Sequence, residues 1–330
     1  MRAPVLFIVF RRLDVTKQSF EQIRQSKPPR LYIACDGPRN DNERAEVIAI
    51  RGYVLSHIDW SCQVHTLFSD TNLGVGVAPF KAITWFFEHE QEGIILEDDC
   101  LPSSDFFEFC DEMLVKYRNN NDVSMVQGFN PFPVFDIRSS YFFSRYNLCW
   151  GWASWRDRWE GYDFFISSWK TPGISMLYRI SQGHLMVRLY WLFIFNSIIR
   201  NPSLGWDAQL TLLFFERNQH AIVPARNLIL NTGFESEYAT STKYLAPEHI
   251  RLLTLQLMEK PLRHPHGVEV SLDYEKLVER KHFDINPITI LKLALKDFME
   301  SHRIFSVLLP SARRLSHMLH RLSLKVRKKE

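Results

Sequence analysis

Short apolar segments alternate with segments of helical spacing over the first 120 residues, and this rhythm constrains the fold more than any other feature. Most of the apolar segments are continuous, as in strands that are buried on both faces of a sheet. Strands that alternate with helices predict a mainly parallel sheet flanked by helices, which is an α/β fold. The predicted strands are residues 4–10, 30–38, 62–70 and 93–99. The predicted helices are residues 15–25, 42–55 and 103–120, and residues 72–90 are predicted to be a Gly-containing loop that leads into a helix.

The rhythm then changes. One more strand is expected near 123–132, and it is followed by an aromatic segment at 150–165 that contains four tryptophans. Residues 201–218 open with turn residues and become a helix, and residues 221–234 are typical of a strand and a loop. From residue 247 the chain is predicted to be helical and increasingly basic.

The charge of the chain is small overall but unevenly spread. The formal net charge is +3, which gives no reason to expect nucleic acid as a partner. From Asn286 onward, however, ten Lys and Arg residues stand against three acids, a net +7 that leaves about −4 for the rest of the chain.

The cysteines and the apolar runs indicate the cellular location of the protein. Five cysteines without a CxxC pair favour a reducing compartment, which predicts a cytoplasmic location. The apolar run at 4–10 is too short for a signal peptide and lacks a small-residue cleavage site. The run at 185–199 is shorter than the roughly 20 residues that span a bilayer and contains Arg188, so we expect no transmembrane helix.

Three adjacent acids, Glu97, Asp98 and Asp99, end the predicted strand in GIILEDDCLP. Three neighbouring carboxylates repel one another, and the positive charge expected beside them is a divalent cation. Hard carboxylate oxygens suit Mg²⁺ or Mn²⁺, and such an ion can bind the diphosphate of a nucleotide at the same time. The alternative is that these acids only begin the next helix, where negative charge is favoured.

Asp36, in ACDGP, also follows a predicted strand. Because ligands of parallel sheets bind beyond the carboxyl ends of the strands, the sheet is expected to bring Asp36 and the acid triplet to one edge. There Asp36 can hydrogen-bond a base or a ribose. The alternative is an ordinary turn, since Asp before Gly is common in turns.

Six short segments occur along the chain in an order that is informative as a set. They are IACDGP, NLGVGVAPFKAITWFF, IILEDDCLPSSDFFEF, QGFNPF, GWASW and GWDAQL. Together they resemble the nucleotide-diphospho-sugar transferases of the GT-A fold, in particular the group similar to N-acetylglucosaminyltransferase I, over roughly residues 3–235. The resemblance implies a GT-A domain at 1–240, with a nucleotide-binding half at 1–122 and an acceptor half at 123–240. Residues 241–330 are then a helical, basic C-terminal extension.

The resemblance also implies roles for individual residues. The last acid of the triplet, Asp99, is expected to bind Mn²⁺ (or Mg²⁺), and Asp98 to face the ribose or the sugar. Glu97 completes the triplet, Asp36 is expected near the uracil of a UDP-sugar, and Lys81 is the one residue that matches the donor loop. The implied partners are a nucleotide-diphospho-sugar donor and a saccharide or lipid-linked acceptor, as in surface-polysaccharide synthesis.

An inverting sugar transfer needs a carboxylate that takes the proton of the acceptor hydroxyl, and this acid cannot also bind the metal. Asp207 in SLGWDAQL is the best candidate, because the catalytic Asp of the resembling enzymes also follows a Trp. The alternative is an Asp that only stabilises the start of a helix. Glu216 and Glu235 are weaker candidates for the base.

Two further motifs have alternative interpretations. Trp150, Trp152 and Trp155 can stack on a sugar, although aromatic rows of this kind are more often part of a core. Gly151 would let the backbone approach a ligand closely. The HPH motif at 264–266 resembles a pair of metal ligands, but the central proline favours a turn.

The end of the chain predicts a basic amphipathic helix from about Ser311. Leu315, Met318, Leu319 and Leu322 share one helical face, and the basic residues lie mainly elsewhere. Such a helix can lie on anionic lipid, which would place the enzyme at the inner face of a membrane. The alternative is a helix that packs on the catalytic domain.

Two other classes of protein remain open. A nucleotidyltransferase that makes the sugar nucleotide would use a similar sheet and metal, but those enzymes have a Gly-rich loop directly after the first strand. Residues 11–20 here read RRLDVTKQSF and contain no glycine. A non-catalytic saccharide-binding protein of the same fold is the third possibility, and the intact triplet together with Asp207 argues against it.

Overall fold

The structure is a computed structural model, and it describes residues 1–133, 138–170, 174–235 and 246–302. Ten strands and eleven α-helices follow in chain order. The strands are β1 (Val5–Val9), β2 (Arg30–Cys35), β3 (Gln63–Phe68), β4 (Glu92–Glu97), β5 (Cys100–Pro102), β6 (Val123–Gln127), β7 (Tyr141–Ser144), β8 (Trp152–Trp155), β9 (His220–Pro224) and β10 (Ile229–Asn231). The helices are α1 (Leu13–Ser26), α2 (Asp41–Ser56), α3 (Gly74–His89), α4 (Ser104–Tyr117), α5 (Arg156–Trp159), α6 (Ile174–Ser181), α7 (Leu185–Arg200), α8 (Asp207–Arg217), α9 (Glu248–Arg251), α10 (Leu272–Leu277) and α11 (Pro287–Ser301).

Eight of these strands form one sheet in the order β3-β2-β1-β4-β8-β6-β9-β7. Strands β3, β2, β1 and β4 are parallel, and so are β6 and β9. Strand β8 lies antiparallel between β4 and β6, and β7 is antiparallel at the edge. The predicted α/β class, a mostly parallel sheet flanked by helices, is therefore confirmed.

The first strand shows why the apolar runs are continuous. Leu6 and Phe7 of β1 are both fully buried, but they belong to the cores on opposite faces of the sheet. Phe7 packs near Phe20 of α1, at 6.2 Å between ring centroids, and Leu6 lies in the cluster that contains Phe86 of α3. Burial of each such side chain is worth about 1.5–3 kcal/mol, so a polar residue at either position would be costly.

The aromatic segment contributes mainly to the core. Trp152 and Trp155 of β8 are fully buried, and they face the two opposite cores. The indole N–H of Trp155 donates to the carbonyl of Leu114 at 3.2 Å. Trp150 is only half-buried. The core interpretation therefore holds for two of these three tryptophans.

The described part of the C-terminal extension packs closely on the second half of the sheet. Val270 forms a parallel bridge with Phe143 of β7. The buried carboxylate of Glu275 accepts hydrogen bonds from the Ser144 hydroxyl (3.2 Å) and from the Arg145 backbone N–H (2.6 Å), and it pairs with the Arg145 guanidinium. The extension is only partly helical over these residues, with a π-helical turn after α10.

The HPH motif takes part in packing. His264 Nδ1 lies 2.9 Å from the Tyr141 hydroxyl, and His264 Nε2 lies 3.4 Å from Glu112. Within the described ranges, no group of three His, Cys, Asp or Glu side chains is placed to hold a metal ion. All five cysteines fall in those ranges and are free thiols.

Among the helices that the structure describes, none combines the length and the apolar character needed to cross a membrane.

Candidate active site

A cavity of about 450 Å³ opens at the carboxyl edge of the parallel strands. It lies beyond the ends of β1, β2 and β4, which is where parallel sheets bind ligands. Its charged lining residues are Arg11, Arg12, Arg39, Lys81, Asp36, Glu97, Asp98 and Asp99, and its apolar lining includes Ile8, Ala34, Leu67 and Pro79. The structure therefore brings together five of the six predicted site residues in one cavity, which we call the donor cavity.

A guanidinium group supplies the positive charge that the acid triplet needs. Arg12 lies just after β1, and its Nη2 donates to Asp98 Oδ1 at 2.5 Å and to Asp99 Oδ2 at 2.9 Å. Asp98 is buried and also accepts from the backbone N–H of Phe10 at 3.4 Å. Arg12 was not among the predicted site residues. The only signal was the pair of arginines directly after the first predicted strand.

Protonation relieves the remaining repulsion in the triplet. Burial raises the pKa of Asp98 to about 6, and the charge of Arg12 opposes that rise. Burial, together with the negative charges of Asp99, Asp98 and Asp207, raises the pKa of Glu97 to about 8. At neutral pH Glu97 therefore holds a proton, and the triplet carries fewer than three negative charges.

Asp36 holds the start of α3 against the end of β2. Its Oδ1 accepts from the backbone N–H of Gly37 (2.8 Å) and of Leu73 (2.9 Å). Its Oδ2 accepts from the Asn72 side chain (2.9 Å) and from the backbone N–H of Gly74 (3.0 Å). Asp36 thus lines the donor cavity, but four donors of the protein already occupy its carboxylate.

Lys81, on α3, is exposed at the cavity wall. In the part of the chain that the structure describes, no acid pairs with it. A free ammonium group beside a cavity of this size is suited to binding a phosphate oxygen.

Asp207 is the first residue of α8, and a network of hydrogen bonds fixes the turn before it. The Tyr162 hydroxyl donates to the carbonyl of Trp206 at 2.8 Å. The Gln209 side chain donates to the carbonyls of Pro202 and Gly205, each at 3.0 Å. Asp207 is exposed at the start of α8, and desolvation by the surrounding protein raises the pKa of its carboxyl above the usual value.

Asp207 lies near the triplet, because the turn before it packs against Gly76 of α3, a helix that lines the donor cavity. The charge of Asp207 contributes to the raised pKa of Glu97, and also to those of Cys149, Tyr162 and Tyr190. Asp207 itself does not line the donor cavity. The two groups of carboxylates are thus neighbours with separate surroundings, as a metal ligand and a base would need to be.

The two weaker candidates for the base are Glu216 and Glu235. Glu216 lies farther from the start of α8 than Asp207, and the side chain of Glu235 is not described. Glu216 lies nine residues further along α8, which is about 13 Å along the helix axis. Glu235 ends the 3₁₀ turn Gly233–Glu235, and its side chain lies outside the described part of the structure. Gly233 of that turn lies so close to Asp99 that a Cβ would be 2.4 Å from the carboxylate.

Aromatic side chains cluster around Trp150 and Tyr190. Trp150 lies 5.6 Å from Phe234 and 6.4 Å from His282, measured between ring centroids. Tyr190 stacks on Phe283 at 5.7 Å. Burial lowers the pKa of His282 to about 4, so its imidazole is neutral at pH 7. None of these residues lines the donor cavity, and His282 comes from the π-helical turn Val278–His282 of the extension.

The surroundings of Asp99 are compatible with one divalent cation. Asp99 Oδ2 accepts from Arg12, and the one contact to Oδ1 among the described residues is a weak one from the Cys100 thiol at 3.8 Å. Mg²⁺ and Mn²⁺ are often held by one or two carboxylates together with substrate phosphates and water. One free carboxylate oxygen fits that arrangement, and it does not fit a metal site built from protein ligands alone.

Comparisons with known proteins add only weak similarities. No family model matches the sequence, and no curated protein matches it significantly. Solved structures with a related arrangement include residues 1–349 of TarS from S. aureus (7% identity, 71% of this chain, 61% of that chain, TM-score 0.40) and the glycosyltransferase GlyE from Streptococcus pneumoniae TIGR4 (10%, 67%, 45%, 0.33). HddC from Yersinia pseudotuberculosis is a third (11%, 47%, 77%, 0.29). The chain spans less than two thirds of TarS and of GlyE, and TM-scores this low assign no activity.

Proposed function

We propose that the protein transfers a sugar from a nucleotide-diphospho-sugar to a hydroxyl group of a saccharide or a lipid-linked acceptor. One observation carries the proposal: a separate carboxylate, Asp207, follows a turn that packs on α3, the helix that lines the basic and acidic donor cavity. Sugar transfer requires both parts, since one stabilises the leaving diphosphate and the other accepts a proton.

The donor cavity suits a nucleotide diphosphate, and a UDP-sugar is the favoured donor. The apolar lining, which includes Ile8 and Leu67, offers a surface for the base, and Lys81 offers a free ammonium for a phosphate oxygen. We propose that Asp99 holds Mn²⁺ or Mg²⁺. A bound ion would neutralise charge on the departing diphosphate.

Asp207 is proposed as the general base. Its carboxylate would take the proton of the acceptor hydroxyl as the oxygen forms a bond to the anomeric carbon and the bond to the diphosphate breaks. Attack from the side opposite the diphosphate inverts the anomeric centre. The half-buried Trp150 and the neutral imidazole of His282 would hold the acceptor, because aromatic faces with a few polar groups are typical of ligand sites.

The membrane contact of the tail from about Ser311 and the cytoplasmic location stay predictions. The tail belongs to residues 303–330, which lie outside the described part of the structure.

A donor screen tests the proposal. The full-length protein is incubated with a panel of UDP-, GDP- and dTDP-sugars, and separately with sugar phosphates and nucleoside triphosphates. Each set is run with and without Mn²⁺, and released nucleoside diphosphate and pyrophosphate are measured. We expect nucleoside diphosphate from one donor and a large increase with Mn²⁺. Pyrophosphate formation from a sugar phosphate and a nucleoside triphosphate would instead support a nucleotidyltransferase, and binding of sugars without any turnover would support a non-catalytic protein.

A further inference from the structure

Helix α11 has apolar side chains over more than half of its circumference, yet it lies at the surface. It packs on α7, and Arg200 of α7 binds Asp297 at 2.5 Å and Glu300 at 3.2 Å. These two ion pairs fix which side of α11 faces the protein. Helical periodicity places the half-buried Leu293 on that same inner side.

The outer side of α11 has a row of four exposed apolar residues, which we call the α11 stripe. The stripe consists of Ile288, Leu291, Leu295 and Phe298, whose exposed fractions are 59%, 60%, 49% and 54%. Their spacing of three, four and three residues puts them on one face over about 15 Å of helix. A contiguous exposed apolar row of this kind marks an interaction site.

The charges around the stripe restrict what can cover it. Lys292 and Lys296 follow the stripe along one flank, while the acids of α11 face inward to Arg200. The chain then continues into residues 303–330, which hold eight Lys and Arg residues and one Glu, a net +7. A partner that fits this face therefore has an apolar interior for the stripe and an anionic surface layer for the lysines.

We propose that the α11 stripe inserts into the surface of an anionic lipid membrane, with Lys292 and Lys296 at the level of the headgroups. A helix that lies flat in the interface buries its apolar row and keeps its basic flank beside anionic lipid. A second copy of the chain fits less well, because a symmetric contact would bring the lysines of both copies together, and among the described residues of α11 only Glu300 pairs with one of them, Lys296, at 3.7 Å. The chain's own basic segment 303–330 meets the same like-charge repulsion. This proposal does not depend on the proposed sugar transfer.

Vesicle co-sedimentation of the full-length protein tests the α11 stripe. The vesicles contain equal amounts of phosphatidylglycerol and phosphatidylcholine, or phosphatidylcholine alone. The stripe variant is Leu291→Ser with Phe298→Ser. The matched control is Leu252→Ser with Leu257→Ser, because these leucines are exposed at 73% and 72% on other segments. Thermal unfolding checks that both variants stay folded, and light scattering measures the molar mass of each protein.

We expect the wild type and the control to bind the anionic vesicles in low salt, and the stripe variant to bind about tenfold less or weaker still. Three outcomes would overturn the proposal. If the stripe variant bound as well as the wild type, the basic segment alone would suffice for binding. If the wild type did not bind anionic vesicles, there would be no membrane contact to explain. If the wild type were a dimer and the stripe variant a monomer, the stripe would be assigned to a second copy of the chain.

Discussion

At the residue scale, Arg12 pairs with acids that are 86 and 87 positions away. The role of Arg12 could not be predicted from the sequence, because no local pattern could identify it as the counter-ion of the triplet. The triplet itself was recognisable, because three acids directly after an apolar run are unusual at the end of a buried strand. The requirement for a cation was therefore predictable from local chemistry, while the residue that meets it depended on the fold.

Replacement of Arg12 by Gln should destabilise the protein by about 2–4 kcal/mol at pH 8, since it leaves Asp98 buried without a cation. The pKa of Asp98 is already about 6 in the fold, above its unfolded value, so its ionisation removes stability as pH rises through that value. The loss should therefore shrink at pH 4, where Asp98 is protonated in both proteins. Urea unfolding at the two pH values measures it.

Arg24→Gln is the matched control, because Arg24 forms ion pairs with Glu21 and Asp59 at the surface. Exposed pairs of this kind contribute about 1 kcal/mol or less. An Arg12 effect no larger than the Arg24 effect, or equally large at pH 4 and pH 8, would contradict the assigned role.

Asp207→Asn should lower turnover by a factor of about 10² or more, the usual scale for removal of a general base. Because the pKa of Asp207 is raised, the acid limb of the wild-type rate profile should lie above the usual pKa of an aspartate. Ionisation of such a group removes stability as pH rises through the raised pKa, so the variant should also melt higher than the wild type at pH 8 and not at pH 3.

Turnover and thermal unfolding of Asp207→Asn are compared with those of Glu216→Gln, which changes the other acid of α8. Full activity of Asp207→Asn, or an equal loss in the Glu216 variant, would remove Asp207 from the role of base.

At the scale of elements, the sequence predicted best where burial was continuous. The first four strands and the helices between them follow from apolar runs that fill both faces of the sheet. Strands β7 and β8 were missed, since each is four residues long, aromatic and buried throughout, without the alternation that marks a half-exposed strand. Strand β7 pairs with β9, and β8 lies between β4 and β6, and both pairings depend on the assembled sheet.

The contact between α3 and the turn before Asp207 is tight enough to test. A Cβ at Gly76 would lie 2.9 Å from the Cα of Ser203 and 3.0 Å from the Gly205 carbonyl oxygen. Gly76→Ala should therefore push these backbones apart, cost about 1–3 kcal/mol of stability and lower turnover through the displaced Asp207. Chemical denaturation and steady-state kinetics measure the two effects.

Gly52→Ala in α2 is the control, because nothing lies within 4 Å of the added methyl group. It should stabilise the protein by about 0.5–1 kcal/mol through helix propensity. If both alanine variants gain stability, the contact is looser than the distances indicate.

At the scale of the whole molecule, the extension was expected to be helical, but its attachment to the sheet could not be predicted. Glu275 and Arg145 are 130 positions apart, and their buried pair joins α10 to the loop after β7. The same segment places the His282 ring 6.4 Å from that of Trp150, measured between ring centroids. The described part of the extension thus contributes to both the core and the candidate site.

Glu275→Ala should cost about 3 kcal/mol or more, because it leaves the guanidinium of Arg145 largely buried without its partner. Glu259→Ala, which removes an exposed pair with Arg263, should cost about 1 kcal/mol or less. Equilibrium urea denaturation measures both. Similar small losses in the two variants would mean that the extension is only loosely attached.

Calorimetric titration with a UDP-sugar and Mn²⁺ tests most directly the central claim that donor binding and base catalysis reside in different carboxylates. The wild type, Asp99→Ala and Asp207→Asn are titrated with and without the metal. The account predicts Mn²⁺-dependent binding that is lost in Asp99→Ala and unchanged in Asp207→Asn. Undiminished, still Mn²⁺-dependent binding by Asp99→Ala, or loss of binding in Asp207→Asn, would contradict it.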